Sequence, residues 1–566
     1  MGKRVIVFIF YFLGILLSKA QVPSFQWATS IGSISGDQGY SVTTDIFGNV
    51  YTTGVFSGVA DFDPGSGTYT LSTLGGYDIF ISKLDPLGNF LWAKRMGGSN
   101  SDGATCITTD PSGDVYLTGG FRDTIDMDPG PLTFSLVSFG NDDAFVCKLS
   151  SLGNLIWAKQ IGGVGNDFIS SLTIDPFGNI YSAGSFQSTT DFDPGIGTYS
   201  LTSIGSLDAF VLKLDASGSF VWARKIGSSA NDGALGICAD QLGNIYSTGY
   251  FSFTADFDPG AAVVNLTSAG LYDSFVWALD AGGNYLWAKN FGGLQSDMGY
   301  SINSDASGNL YSTGTFVNIS DLDPGVGTST VSSNGLNDIY VSKLDNSGSF
   351  LWGKSFGGTN QDYVNGIVLD ASNGVYTTGA FQGTVDFDPN ATVYNMTAVA
   401  FSADAFISKL DVSGNFGFAL QFGSPNGSFA RAITLDPLGS IYTTGYFSGT
   451  CDFDPGLGTY TLTAVVAVDI FISRLGYGPA DVENFISPEN NVLVYPNPVS
   501  STLFISSAQY KLENSEIEII NYLGQTVLKT RFKKELNVSE LSDGIYTFQI
   551  KTPQNEIDIK RLIIAK

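Results

Sequence analysis

One acidic motif, "DFDPG" and its close variants, begins at Asp61, Asp126, Asp191, Asp256, Asp321, Asp386 and Asp452. The steps are 65 residues five times and then 66, the extra residue falling between Asn390 and Phe406. Other columns keep the same period. An aromatic recurs as Trp27, Trp92, Trp157, Trp222, Trp287 and Trp352, then becomes Phe418. A tyrosine recurs as Tyr51, Tyr116, Tyr181, Tyr246, Tyr311, Tyr376 and Tyr442. A fixed period of this length requires stacked units that share a core, because no single unit can bury its own apolar face.

Each unit reads as four short strands. In the first copy these are "YSVTTD", "NVYTTGVFS", "IFISKLD" and "NFLWAKRMG". The turns Asp45–Gly48 and Asp85–Gly88 put Asp first and Gly last, so Asp bonds the turn backbone and Gly takes positive φ. Four antiparallel strands repeated seven times predict an all-β, seven-bladed β-propeller. The chain ends support a closed ring. "FQWATSIG" is a fourth-type strand without a unit of its own, and the seventh unit stops after its third strand, "IFISRLG". Pairing those two strands completes the last blade and removes the open edges. The expected propeller covers residues 21–476.

The blocks "DxxGNxY", "TGxF", "DFDPG" and "KLDxxGNxxWAK" resemble the SBBP family of bacterial β-propeller repeats over residues 25–476. That resemblance implies a fold and leaves ligand and activity open.

Lys3 and Arg4, the run "VIVFIFYFLGILL" and small residues at Ser18–Ala20 read as a signal peptide over residues 1–20. The run is short for a membrane span, and no later segment is longer and as apolar, so the mature chain is expected to lack a transmembrane segment. Lys and Arg total 27 against 53 Asp and Glu, a net charge of −26, which repels nucleic acid and anionic membranes. There is no histidine, the usual general base. Cys106, Cys147, Cys238 and Cys451 fall at unrelated repeat positions and read as free thiols.

After Gly476 the period stops. Residues 477–490 form a polar linker, and residues 491–566 alternate like the short strands of a small Ig-like β-sandwich. Residues 485–566 hold nine basic and nine acidic side chains, so the whole negative excess lies on residues 1–484. "VYPNPVSS" from Val494, "EIINYLGQTV" from Glu518, "LSDGIYTFQI" from Leu541 and "KRLIIAK" ending at Lys566 resemble the type A C-terminal sorting domain of type IX secretion. The resemblance implies partners in the type IX machinery and a sortase. It also implies a secreted or extracellular location, either released or anchored at the outer cell surface.

Three acidic columns map to one face of the expected propeller. The first is Asp37, Asp102, Asp167, Asp232, Asp297 and Asp362, with Ser428 in the seventh place. The second is the motif itself: Asp61 and Asp63, Asp126 and Asp128, Asp191 and Asp193, Asp256 and Asp258, Asp321 and Asp323, Asp386 and Asp388, Asp452 and Asp454. The third precedes the third strand as Asp78, Asp143, Asp208, Asp273, Asp338, Asp404 and Asp469. These 27 carboxylates predict an acidic face, enlarged to a rim by a small hairpin on each blade. Repulsion among them calls for hydrogen bonds or cations. The second and third columns are read first as caps of their own turns; as the alternative they are candidate Ca²⁺ ligands, and no other cofactor is called for.

Repeated residues are what every blade requires, so function is sought where copies differ. Arg122, Asp123, Tyr250, Tyr446, Trp277 and the segment "ATVYNMTAVAFSA" depart from the pattern. No catalytic pair stands out, and the chain is read as a non-enzyme. The expected role is an exported binding or adhesion module for a glycan, a surface protein or another envelope ligand. A structural surface or matrix scaffold, or a polysaccharide-acting enzyme, is the alternative.

Overall fold

The computed structural model describes residues 22–477, 492–495, 499–507, 512–521, 526–542, 544–552 and 557–564. The expected signal peptide and most of the expected linker lie outside the described residues. The chain divides into two compact units, Met1–Gly478 and Pro479–Lys566.

The first unit is built from four-stranded antiparallel groups, of which Gln38–Thr44, Val50–Asp61, Thr70–Leu84 and Phe90–Gly98 form the first. The first strands of successive groups pack side by side. Gln38–Thr44 lies against Gly103–Thr109, followed by Asp167–Ile174, Gly233–Ala239, Met298–Ser304, Tyr363–Leu369 and Ser428–Leu435, which returns to Gln38–Thr44. The ring is closed by Ser24–Ile31, which pairs with Asp469–Gly476 and places Ala28 opposite Ser473. Apolar clusters straddle the group boundaries, as where Tyr51, Ile79 and Ile81 pack with Ala104, Phe121 and Phe145.

Each turn motif has a chemical reason. Asp45 Oδ1 accepts the Phe47 and Asn49 N–H groups at 2.9 Å each, and its Oδ2 accepts Asn49 Nδ2 at 2.7 Å and the Tyr51 hydroxyl at 3.2 Å. Lys83 Nζ lies over the Tyr51 ring, 4.7 Å from its centroid. The fourth-strand Trp reaches the next group: Trp27 Nε1 donates to Pro86 O at 3.1 Å, and Trp92 Nε1 to Ser151 O at 3.3 Å. The sixth group carries Phe418 at this position because the seventh has no such turn. Its fourth strand comes from the other end of the chain, and Tyr477 bonds Tyr376 there instead, at 2.5 Å.

The projecting hairpin forms, with Asp61 opposite Thr70, and Phe62 packs inward between Phe56 and Phe80. It also laces neighbours together, since Asp126 and Ile125 pair with Gly97 and Gly98 of the preceding group. Where the second strand bends into the hairpin, the backbone has positive φ at Gly58, Asp123, Ser188, Phe253, Asn318, Gly383 and Gly449.

The acidic face requires a correction. Fourteen of the 27 carboxylates are buried: Asp388 and the thirteen of the Asp37 and Asp78 columns, which belong to the seams between groups. Asp78 Oδ2 accepts the Leu74 N–H and Arg95 Nη1, each at 2.9 Å. Its carboxylate occupies the space a Cβ on Gly97 would need, 2.3 Å from that position. Asp102 Oδ2 accepts the Gly98 N–H at 2.7 Å and its Oδ1 the Arg122 N–H. The two columns sit together: a Cβ on Gly292 would lie 2.7 Å from Asp273 Cγ and 3.1 Å from Asp297 Oδ2. Burial is the largest influence on these groups and outweighs the backbone bonds. It pushes Asp102, Asp297 and Asp362 up to about 7, and Asp167, Asp232 and Asp338 up to about 6.

The second unit is a sandwich. Leu493–Tyr495, Thr502–Ser506 and Glu535–Asn537 form one sheet. Thr526–Arg531, Glu516–Ile520, Gly544–Lys551 and Ile557–Ile564 form the other. Leu503, Ile505, Ile517, Ile519 and Phe548 share its core.

Two measurements check these assignments. Phe253 is a bulky, exposed side chain on a left-handed backbone, so Phe253→Gly should raise stability by about 1 kcal/mol in chemical denaturation. Between pH 4 and 7 the native seams hold protons that the unfolded chain has released, so stability must fall as pH rises through that window. The melting temperature should be higher at pH 5 than at pH 8, and Asp362→Asn should make that dependence shallower.

Candidate functional site

The candidate calcium ligands serve their own loops. Asp61 Oδ1 accepts the Asp63 and Tyr69 N–H groups at 3.1 and 2.8 Å, and Asp63 Oδ1 accepts the Gly65 N–H at 2.8 Å. The same set recurs at Asp126 with Asp128, Asp191 with Asp193, Asp256 with Asp258 and Asp321 with Asp323. It recurs again at Asp386 with Asp388 and at Asp452 with Asp454. Within a group the third candidate stands apart, since Asp61 is opposite Thr70 and Asp78 is opposite Phe56. Among the described residues no cluster of three or more Asp, Glu, Cys or His is arranged to hold a metal.

The residues that do not repeat gather elsewhere. The first strands line the centre of the ring, and their starts lie on the same side as the seam carboxylates. At the first variable position the copies carry Gln38, Gly103, Phe168, Gly233, Met298, Tyr363 and Phe429. Two residues on they carry Tyr40, Thr105, Ser170, Leu235, Tyr300, Asn365 and Arg431.

Several aromatic members of these columns contact neighbouring rings around the mouth of the ring. Phe429 stacks on Tyr446 with centroids 5.1 Å apart and planes 20° apart, and Tyr363 lies 6.5 Å from Phe429. Arg431 is held between two rings, 5.4 Å from the Tyr446 centroid and 6.0 Å from that of Tyr40. Tyr250 packs edge-on to Tyr272 at 5.2 Å. All of these residues are half-buried, so their rings are packed and still reach solvent. Burial holds the Tyr40 and Tyr300 hydroxyls above their ordinary value, with the Arg431 charge pulling the other way.

Beside this cluster a cavity of about 480 Å³ is lined by Tyr40, Asn100, Thr105, Arg122, Asp142 and Phe168 among others. Arg122 forms a two-pronged pair with Asp142, at 2.8 and 2.9 Å, on its wall. A larger cavity of about 770 Å³ opens on the opposite side, bounded by the turn residues Asp45, Asp370 and Asp436 with Tyr376, Lys409 and Tyr477. Apart from Tyr477 this is the repeated turn set. Lys409 is already bonded there to Asp370 at 2.8 Å and to the Tyr376 hydroxyl at 2.7 Å.

Of the departures singled out in the sequence, Tyr250 and Tyr446 belong to the mouth and Arg122 to its neighbouring cavity. Asp123 is the hairpin bend, and it accepts a hydrogen bond from Asn100. Trp277 is a core residue whose Nε1 donates to Phe257 O at 2.9 Å. In the segment "ATVYNMTAVAFSA", Tyr394 and Met396 belong to the hairpin and Val399–Phe401 form a short 3-10 turn. Arg431, Tyr40, Tyr300, Tyr363 and Phe429 escaped the sequence reading. The signal that could have found them is the variability of two inner-strand columns two residues apart.

Among known protein families, a beta-propeller repeat family, SBBP, matches residues 26–55 and 156–193. The Secretion system C-terminal sorting domain family matches residues 493–565. An uncharacterized WD repeat-containing protein, L264, of Acanthamoeba polyphaga mimivirus is 23% identical over 75% of this chain and 36% of its own length. The regulatory protein FlaEY of Caulobacter vibrioides is 24% identical over 69% of this chain and 42% of its own. The chain thus spans about two-fifths of the length of these curated relatives. A solved structure of a Bacteroides caccae protein of unknown function aligns with 60% of this chain and 89% of its own, at 10% identity and a TM-score of 0.30. The extracellular domain of a two-component system protein from B. thetaiotaomicron aligns with 94% and 76%, at 12% identity and a TM-score of 0.22. Among the described residues no helix is long and apolar enough to cross a membrane. The chain is a secreted or cell-surface protein that carries SBBP β-propeller repeats and a C-terminal type IX secretion sorting domain.

Proposed function

We propose that this protein is an extracellular binding module whose aromatic mouth takes a saccharide. The observation that carries the reading is the gathering of Tyr40, Tyr300, Tyr363, Phe429 and Tyr446, none of them demanded by the repeat, around one opening. A tyrosine offers a flat apolar face and a hydroxyl at its rim, the two features that match the C–H face and hydroxyl edge of a pyranose. Binding is favoured over hydrolysis because the carboxylates nearest the mouth are occupied. Asp37 accepts the Ser33 and Ser57 N–H groups at 2.5 and 2.9 Å, and Asp362 those of Gly358 and Gln382 at 2.7 and 3.2 Å. A glycosidase needs two free carboxyl groups across the scissile bond. The sorting domain would deliver the module outside the cell, where a sortase removes the tail and releases the module or attaches it to the surface.

Two experiments test this. On a glycan array the purified protein should bind a defined set of saccharides, and Tyr446→Ala should weaken that binding about tenfold. Binding to no saccharide, or turnover of a polysaccharide, would overturn the reading. Deleting the chain from Val492 onward should leave the propeller inside the outer membrane of a type IX-competent host, as scored by cell fractionation.

A further inference from the structure

We propose that the saccharide taken at this mouth is anionic, and that Arg431 holds its carboxylate or sulfate; the inference rests on the binding reading above. Residues 1–484 carry 44 acidic and 18 basic side chains, so an arginine here has abundant potential partners. Three of the other described arginines of the propeller pair with an acid and the fourth bonds carbonyls. Arg95 pairs with Asp78 at 2.9 Å, Arg122 with Asp142 at 2.8 Å and Arg474 with Asp436 at 3.7 Å. Arg224 donates to the Gly283 and Ala223 carbonyls at 2.9 Å each.

Arg431 has neither the ion pair of Arg95, Arg122 and Arg474 nor the short carbonyl bonds of Arg224. Among the described residues it makes no ion pair, and its hydrogen bond to the Tyr446 hydroxyl is long, at 3.5 Å. Its Nε is buried without an acceptor. A half-buried cation lacking acceptors is costly to maintain unless something outside the chain supplies them. The Tyr40 and Tyr446 rings flank the guanidinium, their centroids 6.0 and 5.4 Å from its central carbon, and with Nε buried the donor edge left for a ligand is the one formed by its two Nη groups. That edge matches the paired oxygens of a carboxylate or sulfate. No other copy of the repeat places a cation at this position; the counterparts are Tyr40, Thr105, Ser170, Leu235, Tyr300 and Asn365. The surrounding acids do not exclude an anion, because Asp297 and Asp362 are held by burial toward their neutral forms.

The test is calorimetric titration of the full chain with four hexamers: galacturonate, its methyl ester, a sulfated galactose and glutamate. Galacturonate or the sulfated hexamer should bind at least tenfold more tightly than the ester, and the preference should shrink in 0.5 M salt, as screening requires. Whichever of the two binds more tightly identifies the anionic group. Arg431→Gln should abolish the preference for acid over ester without lowering the melting temperature, because the arginine contributes no internal ion pair. Equal binding of acid and ester by the wild type would overturn this inference and leave the saccharide reading standing. A lowered melting temperature with the preference intact would also overturn it, showing a structural arginine. Binding of hexaglutamate as tight as that of the sugars would reassign the site to acidic peptides. Binding of neither sugar would overturn both readings.

Discussion

At each seam of the ring a buried carboxylate sits on a glycine, and the surrounding pieces are located by that contact. Asp78 holds the end of the hairpin through the Leu74 N–H and reaches the fourth strand through Arg95, with Gly97 directly beneath it. Asp102, next to it, holds Gly98 and the second strand of the following group. Charge, hairpin position and strand spacing are therefore one problem with one solution. The glycine cannot change alone, because a Cβ and a carboxylate cannot share that space. The position of the mouth follows from this, since the first strands begin where these seams end.

Much of this was legible in the sequence, and the boundary of legibility has a physical cause. The turns were readable because Asp45, Gly48, Asn49 and Tyr51 satisfy one another within seven residues. The closing strand was readable because an unpaired "FQWATSIG" has only one vacant edge to occupy. The fate of the acids was less legible. Counting carboxylates located them on the correct side of the ring, but whether a carboxylate faces water or a backbone N–H depends on depth. The sequence pattern says nothing of depth, and all thirteen acids of the two seam columns proved to be interior. The mouth was the least legible. Tyr40 and Arg431 are neighbours only because the ring closes, and no local pattern links residues that far apart in the chain.

The departures from the repeat divide into two kinds once packing is known. Phe418 breaks the tryptophan column because its acceptor turn is missing, and Trp277 breaks its own column to fill the core beneath Phe257. Both are repairs to the architecture. The tyrosines and Arg431 repair nothing, for other groups carry Gly, Ser or Thr at the same positions and pack equally well. A repeat protein supplies its own controls in this way. Each copy shows what the scaffold needs, and the residues left unaccounted for mark where selection has acted on something besides stability.

The strand Ser24–Ile31 has its partner at Asp469–Gly476, so the first described strand of the chain stays unpaired until nearly the whole propeller has been made. Closure is thus the longest-range event in the fold, and its entropic cost comes before its reward. The partner of that strand, Asp469–Gly476, is followed in the sequence by the segment before the sorting domain. A chain cut short anywhere upstream lacks both the closing edge and the export signal. An incomplete ring, with its exposed and sticky strand edge, would therefore carry no address for the outside of the cell.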